Sequence, residues 1–367
     1  MTSTSSLPNL GAPSTLFSDT GDFVLQNINL IHLQVYSAEV KKLSSSVAIF
    51  QDQQLNPEAQ KLIASVYLVY DEMEDDVASW DRSYQDIVRI ASDNYQSTQI
   101  FNTYLTNLKT LAPQLGQGDL STSTLTRFNK LVQVLQQKAN ENQNRAIVLA
   151  TSSIQDYLQR EYTKNASQLE TVRQNFINAL NNLPDISPEI KQLKSEIYAA
   201  QKLVEAANEK YEKAALSAKL AVTYAWIPLV GWIVAAVVGV QATQQMNEAS
   251  DEARKQADII KAKSEQLEEL EAQQGEQQKL WTMFRKLAVE KMVSKTQKAT
   301  EELEEVVSLL QKIGDAWQSV GPELATLRNL ATQTSIADVD FNIAIDQWKD
   351  FGTKANQWRM TAFVSFS

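Results

Sequence analysis

The only histidine is His32, set among Leu30, Ile31 and Leu33. A lone imidazole could act as a general base or a metal ligand. Neither a catalytic triad nor a histidine metal site can be built around it without other ligands, and its apolar surroundings read as a structural position. Asp71, Glu72, Glu74, Asp75 and Asp76 form an acidic cluster that could attract a cation. Because they bracket Met73 and Val77, both on an apolar helical face, they read as the solvated side of that helix. The chain has no Cys, which excludes thiol nucleophiles, thiolate zinc sites and disulfides. It has no glycine-rich phosphate loop. No catalytic residue, metal site or cofactor is therefore assigned, and the chain does not read as an enzyme.

What remains is the chemistry of an apolar surface. From Leu220 to Asn247 there is no charged residue. The residues expected to enter a membrane are Leu220, Val222, Tyr224, Trp226, Ile227, Pro228, Leu229, Val230, Gly231, Trp232, Ile233, Val234, Val237, Val238 and Val240. As helix, about 20 residues cross the hydrocarbon layer of a bilayer. Tyr224, Trp226 and Trp232 suit a headgroup boundary. The turn-prone Pro228 to Gly231 divides the run, which favours a hairpin. As helix, the second arm, Leu229 to Thr243, would span about 22 Å. The first arm extends back through Ala206, Ala207, Ala214, Ala215 and Ala218, with Glu209, Lys210, Glu212 and Lys213 on its other face. A side apolar toward lipid and charged toward water is what a pore lining needs. Two alternatives stand beside this reading. One is a buried core helix. The other is a permanent single-pass anchor of a coiled-coil scaffold, for which Lys210, Lys213 and Lys219 against Arg254 and Lys255 give no orientation.

Lys and Arg number 34 against 44 Asp and Glu, a formal charge of −10. The basic field needed to grip a phosphate backbone is missing, so no nucleic-acid partner is expected. Attraction to anionic lipid is not supplied either, and contact with a membrane must come from apolar surface. Residues 1–18 are rich in Ser, Thr and Pro and lack basic and apolar regions in the order of a Sec signal peptide. They are expected to form a disordered arm, and secretion would follow an unconventional route.

The elements that position this segment are long. With 10 Gly and 8 Pro in 367 residues, few connections are expected. Apolar residues spaced three and four apart mark one face along Leu62, Val66, Val69, Met73, Val77, Trp80, Tyr84, Ile87 and Ala91. The face continues past Asn94 and Thr98 to Phe101, Leu105 and Leu108, from a start at Asn56-Pro57 to a stop at Pro113 and Gly116. A second run goes from Leu125 through Phe128, Leu149 and Leu169 to Leu180, and a third from Ser187-Pro188 through Ile197 and Tyr211 to Ala218. A fourth occupies Met246 to Ile313 and reaches Val320, ending at Gly321-Pro322. Shorter helices fit Asp19 to Phe50, Pro322 to Thr332 and Ala337 to Trp358, while Phe363 to Phe366 packs back without an assigned role. Helices of this length are marginal alone and must lie side by side. The expected fold is all-α: an elongated bundle of about five long antiparallel helices with an apolar hairpin at one end. Its organisation is an arm at 1–18, a bundle from 19–205 and 248–367, and a head at 206–247.

Long antiparallel helices, one uncharged hairpin in mid-chain and no Cys resemble the cytolysin A-type α-pore-forming toxins. The match is nearer to members with a mid-chain apolar stretch: haemolysin BL and non-haemolytic enterotoxin components, xenorhabdolysin-like binary toxins and tripartite toxins of Gram-negative bacteria. The resemblance spans about Asp19 to Trp358. It implies a soluble form with the hairpin folded against the bundle. It further implies insertion into a target-cell membrane as a homo-oligomer or a hetero-oligomer with related subunits. In that group the hairpin is sometimes a pair of strands before insertion, and the Val and Ile content here permits helix or strand.

Overall fold

The computed structural model describes residues 7–51, 57–117, 122–181, 188–218, 220, 222–229, 232–237, 243–272, 284 and 287–366. The architecture is an all-α bundle of long helices with one small sheet. In chain order the helices are α1 (Ile28–Gln51), α2 (Pro57–Gly116), α3 (Thr122–Val148), α4 (Arg160–Asn181), α5 (Pro188–Ser217), α6 (Gln244–Ala272), α7 (Val289–Leu330) and α8 (Phe341–Thr361). A π-helical stretch, Leu149–Gln159, joins α3 to α4. Strands β1 (Thr223–Leu229) and β2 (Trp232–Val237) separate α5 from α6, and β3 (Ser365–Phe366) follows α8. They form one sheet in the order β2-β1-β3.

The predicted face of α2 is buried along its whole length, from Leu62 to Leu108, including the polar Asn94 and Thr98. The chain divides into two compact units, one made of 1–26, 83–153 and 306–362, the other of 27–82, 154–305 and 363–367. In the first, Trp317 and Trp348 stack at 5.2 Å and both meet the Phe101 ring, at 5.6 and 4.4 Å. Each indole N–H is satisfied. Trp317 donates to Asn94 Oδ1 at 2.8 Å and Trp348 to the Leu10 carbonyl at 2.7 Å. In the second unit α5 and α6 run antiparallel. Ile190, Ile197 and Val204 pack with Ala257, Ile260 and Leu267, and Ala207, Tyr211 and Ala215 with Met246, Ala249 and Ala253.

Several expectations are corrected. Residues 7–18 are not a disordered arm: Leu10, Ala12 and Leu16 are buried, Ser14–Leu16 forms a 3-10 turn, and Phe17 bridges to Phe23. A few apolar side chains suffice to tie down a polar segment when a groove receives them. Gly321-Pro322 does not end its helix. α7 continues to Leu330, and Val320, Leu324 and Leu327 on either side are buried. Packing on both sides outweighs the hydrogen bond that proline removes. The predicted fourth run is not one helix, because Ala288 takes φ 52° just before α7, a left-handed conformation that ends a right-handed helix. The last helix begins at Phe341 rather than Ala337, capped by Asp340, which accepts from the N–H groups of Asn342 and Ile343 at 3.0 and 3.2 Å. The caps expected at Asn56 and Ser187, and Trp281 of the fourth run, lie outside the described residues.

The acidic cluster on α2 is solvated only in part. Asp71 and Asp75 are exposed and Glu72 pairs with Lys164 at 2.8 Å. Asp76 is buried, receives Asn165 Nδ2 at 2.7 Å, and has its carboxyl held above the usual range by that burial.

The Trp317–Asn94 bond gives a test of the first unit. Trp317→Phe strands the Asn94 oxygen in an apolar setting and should cost about 1–3 kcal/mol in urea denaturation, before any loss of packing. Adding Asn94→Leu should recover part of that loss, because two matched apolar groups leave nothing unsatisfied. If the double variant is less stable than Trp317→Phe alone, the bond is not what holds this site.

Candidate functional site

The uncharged segment is a pair of antiparallel strands. The register pairs Tyr224 with Val237, Ala225 with Ala236, Trp226 with Ala235, Ile227 with Val234, Pro228 with Ile233 and Leu229 with Trp232. Only Val230 and Gly231 separate the two strands in sequence. The local reason for strand over helix is plain. Thr223, Ile227, Ile233, Val234 and Val237 are β-branched, and Tyr224, Trp226 and Trp232 are aromatic. Pro228 would break a helical ladder in mid-run. In the sheet it is tolerated, because β3 pairs with β1 only at Thr223 and Tyr224 and, among the described residues, no strand pairs with the Pro228 end of β1 on that side.

The predicted site residues fall as follows. Tyr224, Trp226, Ile227, Pro228 and Leu229 are in β1, and Trp232, Ile233, Val234 and Val237 in β2. Leu220 is exposed and Val222 buried in the lead from α5. Val230, Gly231, Val238 and Val240 lie outside the described residues. Of the two forms left open, helix or strand, the segment takes strands over Thr223–Leu229 and Trp232–Val237. No described helix is long and apolar enough to cross a membrane. The charged face assigned to the first arm is corrected. Glu209 and Lys213 pair at 2.6 Å on the surface of α5, whereas Glu212 is buried.

The base of the hairpin is gripped from four directions. Tyr224 and Val237 are fully buried with Ala207, Tyr211 and Ala215 of α5, Met246, Ala249 and Ala253 of α6, and Ile31 of α1. The Val237 N–H donates to Asn208 Oδ1 at 3.1 Å, and Ser250 Oγ donates to the Val237 carbonyl at 3.0 Å. On the other side Ser365 N–H donates to the Val222 carbonyl at 3.0 Å, and the Phe366 ring stacks on Tyr224 at 5.8 Å. Val364 N–H donates to Gln34 Oε1 at 3.0 Å, fixing the terminal strand to α1.

Beneath this base lies a charged network. The Tyr224 hydroxyl donates to Glu212 Oε1. Glu212 Oε2 meets His32 Nε2 at 2.7 Å, and His32 Nδ1 meets Glu302 Oε1 at 2.6 Å. Burial works against a charged imidazole here, but hydrogen bonds to Glu212 and Glu302 and their negative charge outweigh it, raising the His32 pKa to about 9. The ring is therefore an imidazolium at neutral pH, donating from both nitrogens. Burial, with the Glu212 charge adding to it, pushes the Tyr224 phenol well above its ordinary range.

Sequence reasoning placed the hairpin and missed its fastenings. The signals were polar residues inside apolar runs: His32 among leucines and Glu212 next to the seam residue Tyr211. Their partnership links residues 180 positions apart, and pattern within one helix cannot reveal it.

No protein-family model and no curated protein matches the chain. Solved structures do. The Bacillus cereus HblL1 toxin component aligns over 97% of this chain and 96% of its own, with TM-score 0.62 and 14% identity. Soluble SmhA, of the tripartite α-pore-forming toxin Smh from Serratia marcescens, covers 97% and 95%, with TM-score 0.56 and 12% identity. The chain has the fold of α-pore-forming toxin components. Soluble AhlB, of the tripartite toxin AHL from Aeromonas hydrophila, carries the same toxin fold at TM-score 0.54 and 12% identity, over 93% of this chain and 95% of its own. The likeness extends over nearly the full length of each chain.

The imidazolium makes a pH prediction. A pKa raised from 6.5 to about 9 is worth roughly 3 kcal/mol to the folded state. Because the folded value is the higher one, that contribution is complete below pH 6.5, shrinks as pH rises, and is gone above about 9. Urea denaturation of the wild type and of His32→Gln at about pH 6 and about pH 10 measures it as a difference of differences. Lys291, whose ammonium burial lowers to about 8, titrates over the same range in both proteins and cancels. Parallel pH profiles for the two would mean that His32 is not charged in the fold.

Proposed function

We propose that this chain is a component of an α-pore-forming toxin, in which the apolar hairpin at Leu220–Val240 leaves the bundle and enters a target membrane on oligomerisation. One observation carries the reading. In a chain with the toxin fold and a charge of −10, the longest uncharged segment, Leu220 to Asn247, is the one that holds the hairpin between α5 and α6. The protein would be secreted and then act at the membrane of a target cell, with lipid and related toxin subunits as partners and no role for nucleic acid. No catalytic step, cofactor or metal enters this mechanism.

The hairpin cannot enter lipid in the form described here. Strands of 7 and 6 residues reach about 20 Å, short of the hydrocarbon thickness. An open pair of strands also leaves backbone N–H and C=O groups without partners in a medium that offers none. Two solutions exist, a closed barrel or helices. The helical one needs no neighbour for its backbone bonds, and with the turn kept at Pro228 to Gly231 the second arm, Leu229 to Thr243, would span about 22 Å as helix. Insertion thus couples release of the hairpin to conversion from strand to helix.

Val234→Asp tests insertion directly. An Asp near the bilayer centre costs about 2.5–3.5 kcal/mol per helix, and an oligomer bears that cost in every subunit. Dye release from vesicles should fall to background while circular dichroism stays that of the wild type. Full lysis by the folded variant would show that this segment does not enter lipid. A second outcome concerns partners. The hairpin itself carries no charge, and a water-filled lumen needs polar groups. The purified chain alone should therefore lyse erythrocytes weakly, and related subunits encoded beside it should raise lysis at least tenfold. Potent lysis by this chain alone, with discrete conductance steps, would remove the partner requirement and leave pore formation standing.

A further inference from the structure

The fastening of the hairpin is built from two kinds of contact. Most are neutral: Asn208 and Ser250 on the Val237 backbone, the short pairing with β3, and the Phe366 ring on Tyr224. One is charged. It starts on β1 at the Tyr224 hydroxyl, passes through Glu212 on α5 to His32 on α1, and ends at Glu302 on α7. Each carboxylate is buried, Glu212 at 4% and Glu302 at 6% exposure. Both oxygens of Glu212 are used, one by Tyr224 and one by His32, and both His32 nitrogens are used. Lys298 stands 3.6 Å from Glu302 on the outer side. The remaining charges nearby are spoken for: Glu209 pairs with Lys213 on α5, and Glu39 on α1 pairs with Lys291 and Lys295 on α7.

We propose that Tyr224, Glu212, His32 and Glu302 form a latch that holds the hairpin to the helices, so that breaking it frees the strands while the bundle persists. The latch rests on the reading of the hairpin as the inserting element, but its action precedes any membrane. A buried network with every member satisfied is rigid, and one missing member strands the others. Without the imidazolium, two buried carboxylates face each other across the gap it filled. Without the Tyr224 hydroxyl, Glu212 keeps its cation and only the strand is let go. The two ends of the network therefore differ: loss at His32 strains three helices, and loss at Tyr224 acts on β1 alone.

Hydrogen exchange of the full chain, read by mass spectrometry without lipid, tests this with Tyr224→Phe, His32→Gln and the double variant. Tyr224→Phe should speed exchange across Thr223–Val237 roughly tenfold, as for loss of one buried hydrogen bond to a charged group. Amides of α2 and α8 that exchange by local fluctuation should keep wild-type rates, and the urea midpoint should fall by no more than the loss of that one bond accounts for. The double variant should open the hairpin no faster than His32→Gln alone, because one latch cannot be broken twice. Hairpin exchange within twofold of wild type in Tyr224→Phe overturns the latch, as does equal acceleration through the whole chain. Dye release from phosphatidylcholine vesicles separates this from the toxin reading. Faster hairpin exchange with no dye release by any variant, alone or with the related subunits added, upholds the latch and sinks the toxin role. Lysis by the wild type with unchanged exchange in Tyr224→Phe does the reverse.

Discussion

A segment with no charge from Leu220 to Asn247 must be kept from water by a chain whose seams are narrow and largely Ala, Leu and Val. That constraint organises the rest. A helix apolar on every side would need a partner on every side, and a bundle of long helices offers grooves, not pits. Folding the segment as two short strands reduces the problem. Half the backbone groups of each strand are satisfied by the other. Among the described side chains, Val222 and the paired Tyr224 and Val237 enter the core at the base.

The polar groups at that base follow from the same constraint. Once a strand end is buried among helices, its N–H and C=O need partners that helical backbones cannot supply, since those are engaged in their own ladders. Side chains do it instead. Asn208 and Ser250 take the two backbone groups of Val237, and β3 takes the Val222 carbonyl. The charged network is the costlier part. A buried ion pair gains little over an apolar replacement, so its presence argues for specificity or switching more than for stability.

The long helices were legible because their signal is local and repeated. Every seam position predicted from Leu62 to Leu108 is buried, and even Asn94, which interrupts the pattern, has its oxygen bonded to an indole across the core. The boundaries were less legible. Pro322 reads as a stop in the sequence, yet packing at Val320 and Leu324 carries the helix past it. The hairpin's place was visible in composition, but its strand form was left open, because a run apolar at every position has no period to distinguish the two states. His32, Glu212 and Ser365 were readable one by one and not as a cluster. Their meeting depends on how helices far apart in sequence are brought side by side, and no spacing within one helix encodes that.

Pro228 carries a consequence for how copies of this protein behave in solution. An open strand edge is a template on which a second chain can add, and a hairpin of Val, Ile and Trp is the kind of sequence that aggregates by doing so. Beyond Tyr224 the outer edge of β1 has no described partner, and residue 228 there has no N–H to offer. A single proline at that point interrupts the ladder an incoming strand would need. Edge-to-edge growth of an extended sheet from hairpin to hairpin is thereby disfavoured along that side of β1.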